Sequence, residues 1–312
     1  MHTKNPYDFQ LYWTSLERYE DCPQMFLWNR GWKGIDLGRG PGKGKAKPFK
    51  SSEHHPLMGI VIQGVIEKMY NEELWRDPKN LVPKLREILD KDFFFAVQDA
   101  YIDWGRSDCP PKTEMYSLCW NGIMGYLRTM KEHRLLGPYA RAEVEMPGKV
   151  DALTLVNGKA DVVIRRDDTG VTILDGKNSK TKGKYTDPDQ LRWYALCFWL
   201  GYGKLPDRLG FIYYRYPFGA PVEDADGCGT GELYSGVDWV QFTMDDVMGL
   251  AQRASDARKG MEAHQFDPRP EPKICKLCDF ETVCEARKAT KRTRNRKTTL
   301  EMLEDANGLV EF

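Results

Sequence analysis

Two acids and a lysine near the middle of the chain carry the clearest chemistry. In "GKADVVIRRDDTGVTILDGKNSK", residues 158–180, Asp161 falls in one apolar run and Asp175 closes the next, followed by Gly176 and Lys177. Side chains two apart on a strand share a face, so Asp175 and Lys177 project together, and a hairpin between the runs brings Asp161 beside Asp175. Two carboxylates converging near a lysine make a site for Mg²⁺ or Mn²⁺, because hard cations prefer oxygen ligands. A cation held there stabilises charge developing on a scissile phosphate, while the lysine orients or helps deprotonate the attacking water. Acid-x-Lys alone is a common pattern, and an exposed strand pair with alternating charges produces it too. The setting sharpens it: Lys180, Lys182 and Lys184 follow directly, a basic segment of the kind a phosphate backbone requires.

A second group is "ICKLCDFETVC", residues 274–284, which holds Cys275, Cys278 and Cys284. Three thiols so close together look like part of a metal site, and both structural zinc and common iron–sulfur clusters want four ligands. The fourth is open at this point; a zinc knuckle completed by another residue, such as His264, is one solution. Cys109, Cys119, Cys197 and Cys228 look unconnected, and Cys197 lies in an apolar run that suits a core position.

The whole chain bounds what these groups can belong to. Its 312 residues allow one large domain or two ordinary ones, and 41% hydrophobic content predicts a folded protein. Lys+Arg and Asp+Glu are both 46, so any anionic partner must be met by a local patch rather than by global charge. Eight cysteines are too few for a disulfide scaffold at this length, and their clustering fits a reduced compartment. "MHTKNPYDFQLYW" lacks the basic and apolar regions of a signal peptide, and no run reaches about 18 apolar residues. The expectation is a soluble protein of the cytoplasm, with no membrane partner.

Hydrophobic periodicity sets out the elements that must position the acids. Residues 57–75, 81–104 and 115–136 carry helical patterning. Residues 141–147, 150–156, 159–165 and 171–176 are short Val-, Ile- and Leu-rich runs separated by Gly or Asp, and predict three or four strands in a meander. Residues 187–201 return to helix, with Pro188 in its first turn and Gly201 as its stop. Residues 208–216 and 232–242 predict further strands, and 244–264 a helix leading into the cysteines. The order predicts an α/β fold, a mixed sheet flanked by helices. Residues 33–50, "KGIDLGRGPGKGKAKPFK", invite a phosphate-loop reading, but Leu37 or Arg39 stands where its first glycine belongs and Ala46 where Ser or Thr should follow. A solvated basic loop is the better reading.

Four motifs in order resemble one known family. Asp161, then Asp175-x-Lys177, then Gln190 and Tyr194 as Gln-x-x-x-Tyr on the next helix, resemble the RecB-like branch of the PD-(D/E)XK nucleases. The opening "SLERYEDCPQMF", residues 15–26, is similar to the start of those families, and the closing Cys-x-x-Cys with a third cysteine to their end. The pattern is similar to the CRISPR-associated exonucleases and AddB-type nuclease domains. The resemblance implies a restriction-endonuclease-like core whose N- and C-terminal segments are joined by a 4Fe–4S cluster on Cys22, Cys275, Cys278 and Cys284. It implies residues 1–284 as a single nuclease domain, with 285–312 a basic, flexible tail. It further implies a metal-dependent DNA exonuclease, preferring single strands or free ends, working with recombination, repair or CRISPR-adaptation proteins in a prokaryotic or phage-infected cell. In that frame Asp161 and Asp175 bind the cation and Lys177 serves catalysis. Gln190 and Tyr194 hold the DNA strand, and Lys180 and Lys182 its phosphates.

The chain departs from the family at one ligand. The first long helix should carry Gly-x-x-x-His-x-x-x-Glu, and this chain has Gly59, Gln63 and Glu67. A glutamine carbonyl can ligate Mg²⁺ or Mn²⁺, so Gln63 is either a substituted ligand or a packed polar residue. Glu143, in "RAEVEM", is a second candidate for the metal or phosphate site, or else an edge-strand charge. The departure also leaves open a catalytically weak or inactive DNA-end-binding subunit of the same fold.

Overall fold

The structure, a computed structural model, describes residues 9–32, 54–99, 102, 104, 109–168, 170–183, 186–215, 236–281 and 283–289. The basic loop at 33–50, Lys184, Cys228 and the tail from residue 290 lie outside the described residues. Five strands form one sheet in the order β1 (Ala140–Lys149), β2 (Leu155–Arg166), β3 (Gly170–Lys177), β4 (Arg208–Tyr213) and β5 (Val237–Val240). β2 and β3 pair antiparallel, β3 and β4 parallel, and β4 and β5 antiparallel. A parallel pair needs a crossover, and α6 (Pro188–Tyr202) supplies it between β3 and β4. The mixed sheet with flanking helices is the architecture that the sequence predicts.

The chain divides into two compact units. The larger, Ser51–Ala152 with Val156–Gln252, holds the sheet. On one of its faces, Val162, Ile164, Leu174 and Ile212 join a core with α3 (His54–Asn71), α4 (Leu81–Asp99) and α5 (Lys112–Glu132). The alternate positions, which include Asp175, therefore face the other way, where α6 packs on β1, β3 and β4. The smaller unit, Met1–Lys50 with Leu153–Leu155 and Arg253–Phe312, contains α1 (Trp13–Asp21), α2 (Pro23–Trp32) and α8 (Pro272–Leu277). Arg258 is buried within it and donates to the Leu153 and Phe9 carbonyls at 2.9 and 3.0 Å. The helix α7 (Met244–Glu262) contributes residues to both units.

Two glycines depart from their expected roles. Gly158 lies inside β2 rather than between two strands, and residues 150–154 form no strand. A Cβ at Gly158 would stand 3.1 Å from Tyr194 and 3.2 Å from Cys197 of α6, so the glycine serves close helix–sheet approach rather than a turn. Gly201 lies within α6, and Gly203 ends the helix with φ +71°. The one added residue is Tyr202, whose ring packs on Phe198 with centroids 4.5 Å apart, and the glycine at 203 takes its positive φ without strain.

At its other end α6 begins as expected, with Asp187 accepting from the Asp189 N–H and Pro188 in the first turn. Its central residue Trp193 is fully buried and donates from Nε1 to the Asn157 carbonyl at 3.0 Å. Trp193→Ala is expected to destabilise the fold by about 3–5 kcal/mol, read as a shifted urea or thermal midpoint.

Candidate active site

The β2–β3 register pairs Val162 with Leu174, so the next position along sets Asp161 opposite Asp175. Gly176 N–H donates to Asp161 Oδ2 at 2.6 Å, fixing that carboxylate against β3. Asp175 is buried, and its Oδ1 accepts from Gln190 Nε2 at 2.9 Å and from the Tyr194 hydroxyl at 3.2 Å. Lys177 Nζ donates to Gln190 Oε1 at 2.8 Å and lies 2.6 Å from Asp175 Oδ2. The expected Asp161, Asp175, Lys177, Gln190 and Tyr194 therefore meet at one place, built from two strands and the first turns of α6. Gln190 and Tyr194, four apart on one helix face, hold the Asp175–Lys177 pair from above. Trp193, on an adjacent face, is core.

The electrostatics of this group favour a cation. Burial pushes the Asp161 carboxyl well above its ordinary range and the charge of Asp175 raises it further, against the opposing Gly176 N–H. Burial and the same Asp175 charge hold the Tyr194 hydroxyl protonated. Asp175 Oδ2 has no hydrogen bond; it meets Lys177 outside hydrogen-bonding direction and is itself shut from solvent. Two adjacent carboxylates, one with an oxygen so placed, fit Mg²⁺ or Mn²⁺, which take oxygen ligands. Among the described residues no group of three or more His, Cys, Asp or Glu side chains is arranged, as it stands, to hold a metal ion.

The two secondary candidates meet each other. Gln63 Nε2 donates to Glu143 Oε1 at 2.8 Å, and Glu143 Oε2 pairs with Lys159. Gln63 Oε1, the atom a metal would use, accepts from the Tyr214 hydroxyl at 2.5 Å. Tyr214 and Lys159 are the residues that sequence reasoning missed. Tyr214 sits in an aromatic strand run that reads as core, and nothing local ties it to Gln63. Of the two basic candidates, Lys180 is exposed, while Lys182 is partly buried and donates to the Val237 carbonyl at 2.9 Å.

In the smaller unit Cys22, Cys275, Cys278 and Cys284 all line one small cavity, together with apolar Met25, Trp28 and Ile274 and the cations Arg269 and Arg287. Cys22 stands at the break between α1 and α2; Cys275 lies in α8 and Cys278 caps it. Backbone N–H groups of Arg269 and Phe280 reach the Cys22 and Cys278 sulfurs at 3.4 Å. His264 does not line this cavity; its ring packs towards Phe266, centroids 6.5 Å apart. Burial raises the Cys275 and Cys278 thiols, so the pair is protonated unless a metal displaces the protons. Four thiols thus share one cavity with two guanidinium groups and one carboxylate, Glu281, which pairs with Arg287 at 3.2 Å.

Residues 13–285 match the PD-(D/E)XK nuclease superfamily. The chain belongs to that superfamily, whose members are typically metal-dependent nucleases that usually use Mg²⁺ or Mn²⁺. The five-stranded mixed sheet is consistent with its restriction-endonuclease-like core, and the fold implies DNA binding. No curated protein matches the chain. Among solved structures it is similar to one described as "Crystal structure of SSO0001", at 16% identity over 56% of this chain and 74% of that one, with a TM-score of 0.29. No helix among the described residues is long and apolar enough to cross a membrane.

Proposed function

We propose that the protein is a metal-dependent deoxyribonuclease of the RecB-like type, an exonuclease that prefers single-stranded DNA with free ends. The observation that carries this is the meeting of Asp161, Asp175, Lys177, Gln190 and Tyr194 in one hydrogen-bonded group. Asp161 and Asp175 would hold the Mg²⁺ or Mn²⁺, and the bound cation supplies Lewis-acid stabilisation of charge developing on the phosphate. Lys177, fixed by Gln190 and Asp175, presents an ammonium that orients the attacking water and stabilises the negative charge that develops on its oxygen as it attacks. Gln190 and Tyr194 hold this group in place and meet the substrate strand from α6. Lys180 adds a phosphate contact at the exposed start of the following loop.

Residues 1–284 act as the nuclease domain. Cys22, Cys275, Cys278 and Cys284 hold a 4Fe–4S cluster that ties the ends of this stretch together. The shared lining of one cavity by the four thiols supports this reading. The cellular setting is recombination, repair or CRISPR adaptation, where a nuclease of DNA ends is needed.

Linear and covalently closed circular single-stranded DNA, each incubated with Mn²⁺, test the end requirement. Degradation of the linear strand with the circle spared is expected. Equal loss of both would mean an endonuclease, and Asp175→Asn protein that still cleaves would remove Asp175 from the site.

A further inference from the structure

The larger unit carries a groove that the nuclease reading leaves without a task. It lies between the start of α4, one face of α5 and the segment that leads into β1, and holds about 940 Å³ of open space. Its floor is apolar, with Leu81, Val82, Met124, Met130 and Leu136. Arg128, Lys131 and Arg134 also line it and are exposed, while no Asp or Glu does. Asn121, Met124, Arg128 and Lys131 recur at helical spacing, so α5 borders the groove for about 15 Å, nearly three turns.

Arg134 stands there at a cost. His133 caps α5, and Arg134 follows it with φ +54°. The Leu135 N–H donates to the Met130 carbonyl at 2.7 Å and the Arg134 N–H to the Lys131 carbonyl at 3.0 Å, the pair of bonds that closes a helix on a left-handed residue. Glycine is the usual occupant of that position, and a residue with a side chain is strained in it. The chain thus sets a guanidinium on the groove where its backbone favours glycine. A cation at a helix C-terminus also answers the helix dipole. That effect accounts neither for Arg128, which lies before the last turn, nor for the apolar floor.

The lining selects the partner. A single nucleic-acid strand wants aromatic faces on which its bases stack. The one aromatic ring in the lining, Tyr139, has the Arg166 guanidinium over it at 5.1 Å, and its hydroxyl donates to the Leu136 and Arg134 carbonyls at 3.0 and 3.1 Å. Exposed cations beside aliphatic and Met side chains instead match a helix with an apolar stripe flanked by carboxylates, and Met side chains adapt to such anchors. We propose that this groove docks an acidic amphipathic helix of a partner protein. Its apolar residues would rest on Leu81, Met124 and Leu136, and its carboxylates would meet Arg128, Lys131 and Arg134. The proposal does not rest on the chemistry of Asp161 and Asp175.

The test is fluorescence anisotropy at low salt with the full-length protein and a labelled synthetic peptide. The peptide has about 18 residues, enough to sustain a helix, with leucine at every third or fourth position and glutamate elsewhere. A second peptide carries glutamine for every glutamate. The acidic peptide is expected to bind saturably and the glutamine peptide about 10-fold more weakly, the worth of three exposed charge pairs. Lys131→Glu is expected to weaken the acidic peptide by about 10-fold too. Arg134→Gly should weaken it while melting no lower than wild type, because glycine relieves the left-handed strain; a residue kept only for structure would give the opposite pair of results. No saturable binding, equal binding of the two peptides, or binding unchanged in both variants would overturn the proposal. Displacement of the peptide by a single-stranded oligothymidylate would overturn it in favour of nucleic acid. A wild-type dimer in light scattering that Lys131→Glu dissociates would overturn it in favour of a second copy of this chain.

Discussion

Lys177→Ala is expected to lower DNA cleavage by about 10²–10³-fold, the range for loss of one positioned donor that stabilises developing charge, while DNA binding changes by no more than a few-fold. The geometry accounts for both halves. The ammonium lies 2.6 Å from Asp175 Oδ2 and donates to Gln190 Oε1 at 2.8 Å, so it is held in the group rather than extended along a DNA-binding surface. The same contacts give a second expected effect. Asp175 is buried, and removing its cationic partner leaves a buried carboxylate uncompensated, a change that costs about 3–5 kcal/mol in comparable pairs. Metal-free Lys177→Ala protein should therefore melt lower than wild type, and Mn²⁺ should recover part of the difference by binding the folded state. Reduced cleavage with no change in the metal-free melting temperature would separate the catalytic role from the electrostatic one.

Anaerobically purified protein is expected to be brown with broad visible absorbance, and Cys22→Ser to abolish both and to destabilise the unit that contains it. Cys22 and Cys275 are roughly 250 residues apart in the chain, and a cross-link over so long a loop is worth on the order of 5 kcal/mol in chain entropy. Loss of one of four ligands would release that constraint. Cys197→Ser serves as the control, because Cys197 is fully buried in α6 and lines no part of the cysteine cavity. Its variant should keep the colour. Full colour and stability in Cys22→Ser would mean that the cysteines near residue 280 find their fourth ligand elsewhere, and iron and zinc analysis of both proteins would identify the metal.

The residues of the site differ in how far the sequence reveals them. Asp161, Asp175 and Lys177 are legible because strand alternation and a short hairpin are local rules, and the observed register places the two acids opposite each other. Gln190 and Tyr194 are visible as an i, i+4 pair on a helix, but only the family resemblance connects them to the acids. Tyr214 is hidden. It reaches Gln63 across 151 positions of sequence, through a gap that exists only because Gly176 has no side chain. Gly158 misleads for a related reason. A glycine among apolar runs reads as a turn, whereas here it admits α6 against the sheet, a tertiary requirement that no local pattern expresses. Glu143 likewise meets Gln63 on α3 and Lys159 on β2, contacts that no local pattern in β1 expresses.

The most direct measurement is cleavage of end-labelled single- and double-stranded DNA by anaerobically purified protein, with Mn²⁺, Mg²⁺ or EDTA, beside Lys177→Ala. Cleavage with either cation and none with EDTA is expected, with a strong loss in the variant and products that shorten progressively from an end. Metal-independent cleavage, cleavage unchanged in Lys177→Ala, or a wild-type protein that binds DNA and leaves it intact would contradict it.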